Sequence, residues 1–192
     1  MARPQTKIRK SDRTRAAILA AARAQFARHG YEATTIRDVA AAAAIDPSMV
    51  MRYFGSKDEL FARAAAIELH LPDLSKLDRA MIGEALAQHF VSLWEGPQGN
   101  PGMTILLRAA ATNDDAAQKM REVFAAQVSP TLMKVGRGAD FPARAALIST
   151  QLLGLAFCRY ILKIPPLVAM PNAALTTKIG AILQRLIDGD DA

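Results

Sequence analysis

Between Thr35 and Lys57 the chain gathers hydrogen-bond donors and cations at short intervals: Thr35, Arg37, Ser48, Arg52, Tyr53 and Lys57, with Met49 among them. No base beside a nucleophile accompanies them, so the set is suited to gripping a polyanion and touching polar edges rather than to making or breaking bonds. Elsewhere catalytic chemistry finds no foothold. His29, His70 and His89 are not at metal-ligand spacing with one another, with Cys158 or with a carboxylate pair. Gly96, Gly99 and Gly102 are interleaved with Pro97 and Pro101 and follow a helical pattern, not a strand, which excludes a phosphate loop. There is no GxSxG, and Cys158 sits among Leu155, Ala156 and Phe157 with no activating base. The expectation is a protein that is not an enzyme and holds no metal and no cofactor.

The elements that position the polar set are short helices. Thr34 or Thr35 caps a helix of about Thr35 to Ala43 whose apolar residues are Ile36, Val39 and Ala40. Asp46 as cap and Pro47 at the first helical position start a second, Pro47 to Tyr53. At barely two turns it must be held by packing through Val50 and Phe54. Its other side chains are left to face outward, although Met51 also fits a core position and Tyr53 a packing role. Upstream, a first helix from Ser11 or Asp12 to His29 puts Ile18, Leu19, Ala22 and Phe26 on one face and stops at Gly30. Downstream, Ser56 with Glu59 reads as a capping box that opens a fourth helix, Ser56 to about His70, ended by Pro72.

With these elements in place, the stretch from about Thr14 to Ala64 resembles the helix-turn-helix of the TetR family of bacterial transcriptional regulators. The matching residues are Ile18, Leu19, Ala22, Phe26, Gly30-Tyr31, Thr34-Thr35, Ile36-Arg37, Val39-Ala40, Ala44-Ile45, Tyr53-Phe54, Lys57, Leu60 and Phe61. The chain departs from the family pattern at Ala44, where glycine is common in the turn, and at Met49 and Met51, where Ser or Thr and then Tyr are common. The resemblance implies that Thr35, Tyr53 and Lys57 clamp phosphates and that Arg37 reaches phosphate or base. It also implies that Ser48, Met49 and Arg52 point toward a major groove, where Arg can take guanine and Met only an apolar partner.

Charge placement agrees with that division. The formal charge is +6, but residues 1 to 57 carry +7 and the remainder −1, an asymmetry suited to phosphate binding at one end. Residues 1–10, with Arg3, Lys7, Arg9 and Lys10, read either as a basic arm along DNA or as a solvated tail. Scarce aromatics and abundant Ala favour an all-α fold. The domain organisation expected is the arm, a three-helix DNA-binding domain over residues 11–56, and a larger helical domain over 57–192, with about nine helices in all. A single cysteine fits a reducing, cytoplasmic setting. No apolar run reaches the ~18–20 residues of a membrane span, the nearest being Ala145 to Leu162.

Beyond Pro72, breakers delimit helices at Asp78 to Glu95, Gly102 to about Thr112, Asp114 to Val135 with Pro130 as a kink, Pro142 to Lys163, and Asn172 to Asp188. The last two carry rows at alternating spacings of four and three: Ile148, Leu152, Leu155, Arg159 and Leu162, then Leu175, Ile179, Ile182 and Leu186. Second apolar rows, Leu147 with Gln151 and Leu183 with Ile187, leave more apolar surface than one neighbour covers. The resemblance implies a homodimer through a four-helix bundle; an internal core explains the same pattern. It further implies a small-molecule effector among these helices. Candidate lining residues are Met81, His89, Phe90, Trp94, Leu106, Met120, Phe124 and Phe157, with Arg108 and Gln127 as polar anchors, and core packing explains the apolar ones equally. The function expected is a ligand-responsive repressor acting as a homodimer on a palindromic operator. The rival is a helical small-molecule carrier or protein adaptor with an incidental basic arm.

Overall fold

The computed structural model describes residues 10–96 and 99–189. The basic arm lies outside the described residues except for Lys10, which is the first residue of the first helix. The chain is all-α among the described residues: α1 (Lys10–Ala33), α2 (Ile36–Ala42), α3 (Pro47–Phe54), α4 (Lys57–Ala64), α5 (Ile82–Glu95), α6 (Pro101–Ala109), α7 (Asp114–Val123), α8 (Ser129–Met133), α9 (Phe141–Ala156), α10 (Pro165–Val168) and α11 (Asn172–Asp188). They form two compact units, one reaching to residue 66 and including residues 101–109, the other made of residues 67–100 and 110 onward.

In the first unit, Ile18, Ala22 and Phe26 of α1 are buried with Val39 and Ala40 of α2, Val50 and Phe54 of α3, and Leu60, Phe61 and Ala64 of α4. Phe26 meets Phe61 edge-on at 5.2 Å, and Tyr31 meets Phe61 at 4.9 Å. Gly30 interrupts α1 with φ 80, a left-handed value that Gly reaches without strain, and one irregular turn continues to Ala33. The buried Thr34 hydroxyl donates to the Gly30 carbonyl at 2.8 Å, satisfying that break. α6 packs on α1 through a face on which Met103, Ile105, Leu106 and Ala109 are buried, so Leu106 and Arg108 belong to this unit.

The second unit is built around Leu74, Ile82, Leu86, Leu132, Phe141, Ile148, Leu183 and Ile187. α5 and α11 cross at two glycines: a Cβ on Gly83 would stand 2.4 Å from the Gly180 carbonyl oxygen, and one on Gly180 2.9 Å from the Glu84 Cα. Gln184 bridges the crossing by accepting from the Gly83 N–H at 2.8 Å and donating to the Arg79 carbonyl at 2.9 Å. Two arginines satisfy the last carbonyls of α11: Arg79 donates to Ile187 at 2.8 Å, and Arg144 donates to Leu186 at 2.9 Å.

Several boundaries differ from the sequence expectation for physical reasons. α4 ends at Ala64, not near His70, because the following segment is held extended: the Leu69 N–H donates to Gln127 Oε1 at 2.8 Å, and Gln127 Nε2 donates to the Ile67 carbonyl at 2.9 Å. The helix expected from Asp114 kinks before Pro130, where residues Phe124–Val128 form a π-helical turn between α7 and α8. Proline cannot donate to the carbonyl four residues back, and the widened turn absorbs that loss. A second π-helical turn, Phe157–Ile161, extends α9. The resulting Phe141–Ile161 helix has 21 residues and a mean hydropathy of 1.3, enough by length and composition alone to cross a membrane, contrary to the sequence expectation. Only 28% of it is buried in this chain, so its apolar character calls for a cover.

Candidate nucleic-acid interface

The turn between α2 and α3 fixes the interface. Thr35 and Asp38 form a reciprocal capping box at the start of α2, the Thr35 hydroxyl accepting from the Asp38 N–H at 3.2 Å and the Thr35 N–H donating to Asp38 at 2.8 Å. α2 ends in a pair of bonds, Ile45 N–H to the Ala40 carbonyl at 3.0 Å and Ala44 N–H to the Ala41 carbonyl at 3.1 Å. That pattern requires a left-handed residue between them, and Ala44 takes it with φ 53. Asp46 then caps α3 by accepting from the Ser48 N–H at 2.8 Å, with Pro47 at the first position of the helix.

Burial of Val50 and Phe54 anchors α3 and turns its other face outward. Ser48, Met51 and Arg52 are exposed, and Met49 and Tyr53 are half-buried. Met51 is therefore not a core residue. The Arg52 guanidinium lies 5.6 Å from the Tyr53 ring centroid. Arg37 is exposed on α2. Lys57 is anchored, its ammonium 4.3 Å above the Tyr31 ring and 3.4 Å from the Glu32 carbonyl. With three donors it keeps hydrogens for an outside acceptor. The Thr35 side chain is less free. Its hydroxyl also lies 2.6 Å from Asp38, and these bonds, hydroxyl first, hold the Asp38 carboxyl below its usual range. A phosphate at this helix start would meet the next backbone N–H groups, those of Ile36 and Arg37, which have no intrahelical acceptor.

Two arginines on this unit escaped the sequence reading. Arg15 and Arg63 approach the Phe54 ring at 5.6 and 5.9 Å. Their only sequence signal is a basic residue one turn from a core position.

The expected effector residues are divided between the two units. Leu106 and Arg108 lie on α6, and within the second unit Met81 and Phe157 are exposed. His89 and Gln127 are already engaged: His89 Nε2 is 2.8 Å from the Leu69 carbonyl, beside the Gln127 contacts. Met120 and Phe124 are half-buried on α7 and its π turn. Phe90 and Trp94 form an aromatic group with Tyr160, which stacks on Trp94 at 4.6 Å. Beside it Glu95 accepts from Arg159 at 2.9 Å, Tyr160 at 2.8 Å and Asn172 at 2.6 Å. Burial alone would raise the Glu95 carboxyl; those three bonds outweigh it and hold the group below its usual range. Burial and then Glu95 push the Tyr160 phenol upward. Among the described residues, no three His, Cys, Asp or Glu side chains stand close enough to hold a metal.

Most of the row expected to face a partner subunit is covered within the chain. Ile148, Leu155 and Leu175 are buried within the chain, and Leu152, Ile179 and Leu186 pack partly against the core. Arg159, with 8% of its surface exposed, is bound to Glu95, to Asn172 and to carbonyls of the α10 segment, including Leu167 and Met170. Of the expected row only Leu162 and Ile182 are exposed, at 56% and 42%. Outside that row Leu147, at 50%, and Phe157 are also exposed. Arg159 finds its carboxylate within the chain.

The family model for bacterial regulatory proteins of the tetR family matches residues 18–64, and that for the tetracyclin repressor-like C-terminal domain matches residues 80–187. An HTH-type transcriptional repressor of Mycobacterium tuberculosis is 43% identical over 89 residues, 44% of this chain and 45% of that one, so the match spans less than half of either. A TetR-family regulator from Streptomyces coelicolor A3 superposes with a TM-score of 0.65 at 27% identity, covering 96% of this chain and 100% of that chain. A SmeT–triclosan complex shares the fold with a TM-score of 0.62 at 23% identity, over 88% and 90% of the two chains. The second of the two family models alone takes in more than half of the sequence, and with the capped α2–turn–α3 geometry in the region of the first, the chain belongs to the TetR family of bacterial regulatory proteins.

Proposed function

We propose that the protein is a DNA-binding transcriptional repressor that acts as a homodimer on a palindromic operator and answers to a small molecule. One observation carries the reading: α3 is anchored by Val50 and Phe54 and presents Ser48, Met51 and Arg52 to solvent, flanked by Arg37 and Lys57. That is a short helix with base-reaching side chains between phosphate-reaching cations. Pairing of two chains is supported by the exposed Leu147 and Phe157, on a helix with no charged residue between Arg144 and Arg159, and by Leu162 just past its end. Such a face is stabilised by an apolar cover. Two heads then read half-sites about one helical turn, ~34–36 Å, or a multiple apart.

The effector reading has a structural focus. SmeT, a protein of this fold, is described as a complex with triclosan. In this chain Gln127 and His89 hold residues 67 and 69, just beyond the end of α4. A ligand in the second unit that competes for Gln127 frees that segment and so loosens the chain immediately after the DNA-reading helices.

The test is selection of bound duplexes from a random library, with molar mass measured by light scattering in the same buffer. A recovered palindrome and a mass of two chains support the reading. No enriched sequence, or a mass of one chain, overturns it.

A further inference from the structure

We infer that Met51 is a specificity-determining residue that reads the C5-methyl group of one thymine in each half-site. This rests on the operator reading above and goes beyond it by naming the contact. Met51 is 44% exposed, although a thioether side chain gains nothing from water. It is exposed together with Ser48 three residues before it and Arg52 beside it, on the flank of a helix whose Val50 and Phe54 are buried in the core. Met49, the other methionine of the helix, is half-buried and less available. Met51 is thus the exposed methionine of a helix whose other exposed side chains include a hydroxyl and a guanidinium.

The chemistry of the grooves decides the partner of such a group in a duplex. Met has no hydrogen-bond donor, and its sulfur is a weak acceptor, so it discriminates among base edges only by apolar contact. The major groove offers one apolar group, the thymine methyl; guanine, adenine and cytosine present donors and acceptors there. Covering the Met51 thioether with that methyl removes apolar surface of both from water, whereas a phosphate or a polar edge leaves it uncompensated.

The experiment replaces each thymine of the selected operator, one at a time, by deoxyuridine, which removes the methyl and keeps base pairing. For the natural protein, one thymine per half-site is expected to be sensitive, with a loss of about fourfold in affinity for a single covered methyl. In Met51→Ala that position becomes insensitive; in Met51→Leu, which keeps an apolar side chain, the sensitivity remains. Because Met51 lies outside the buried core, the variants are expected to stay folded, which the unfolding temperature checks, and Met51→Gln provides a solvated variant of similar length for the same comparison. The inference is overturned if every thymine tolerates uracil, or if the sensitive thymine stays equally sensitive in Met51→Ala and Met51→Gln. Those outcomes leave a recovered operator standing. Absence of any enriched duplex overturns the operator reading, and this inference with it.

Discussion

Two faces of this molecule expose apolar side chains, and they differ in what surrounds them. On α3, Met51 is exposed with Ser48 and Arg52, in a unit that also carries Arg37 on α2 and Lys57 on α4. On the Phe141–Ile161 helix, Leu147 and Phe157 stand on a stretch without a charge, from Ala145 to Cys158. An apolar group in a cationic field suits a polyanion that also offers a methyl, and its binding should weaken with salt. An apolar row in a neutral field suits another apolar row, and its association should be indifferent to salt. The distinction lies in the neighbours, not in the exposed residue.

A charge placed on the neutral face separates the two most sharply. Leu147→Arg puts an uncompensated guanidinium in each half of a paired interface, at a cost of about 3–5 kcal/mol for an unpaired buried charge. The expected result is a shift from two chains to one in light scattering at concentrations where the natural chain is paired, with the affinity for random DNA per chain kept. A mass that stays at two chains would remove this face from the interface.

On the cationic face the corresponding change is Arg52→Ala. A guanidinium that reads a base costs about 1–3 kcal/mol on the preferred duplex when lost, and preference at one position relaxes. Lys57→Ala should weaken all duplexes alike and reduce the salt slope by about one unit. Binding of operator and random DNA measured across salt concentrations separates the two; parallel losses in both variants would assign Arg52 to phosphate.

How much of this was legible in the sequence varies with the range of the interactions involved. The helix-turn-helix was readable because its determinants are local: Thr35 with Asp38, Asp46 with Pro47 and Gly30 act within a few residues. The end of α4 was not, because Gln127, about sixty residues later, extracts Ile67 and Leu69 from helical hydrogen bonding. Along α9 the pattern marked apolar rows but not which would be buried within the chain, because periodicity defines faces and leaves their direction open. Arg159 was placed in the row facing a partner subunit because its carboxylate, Glu95, lies 64 residues away in the sequence.

Weaker effects come from two exchanges of glycine and alanine with opposite expected signs, one in each unit. Gly83→Ala suits a helix by propensity, which favours Ala by about 1 kcal/mol. Space overrules it: the added Cβ would lie 2.4 Å from the Gly180 carbonyl oxygen and 2.6 Å from the Gln184 nitrogen, backbone atoms that cannot swing aside. Overpacking of this kind costs about 1–3 kcal/mol, so the α5–α11 crossing opens and the unfolding temperature falls by roughly 2–10 °C. Ala44→Gly works the other way. Ala44 holds the left-handed conformation, φ 53, at the end of α2, where a side chain carries a strain of about 1 kcal/mol or more. Gly relieves that strain but adds freedom to the unfolded chain, which offsets up to about 1 kcal/mol of it. A net gain of about 0.5 kcal/mol remains. Chemical denaturation should resolve it as a higher midpoint at unchanged slope. The turn geometry is unaltered, so α3 keeps its orientation and the selected operator stays the same. A lower midpoint would mean that the backbone at Ala44 is stabilised by its methyl group more than it is strained by it.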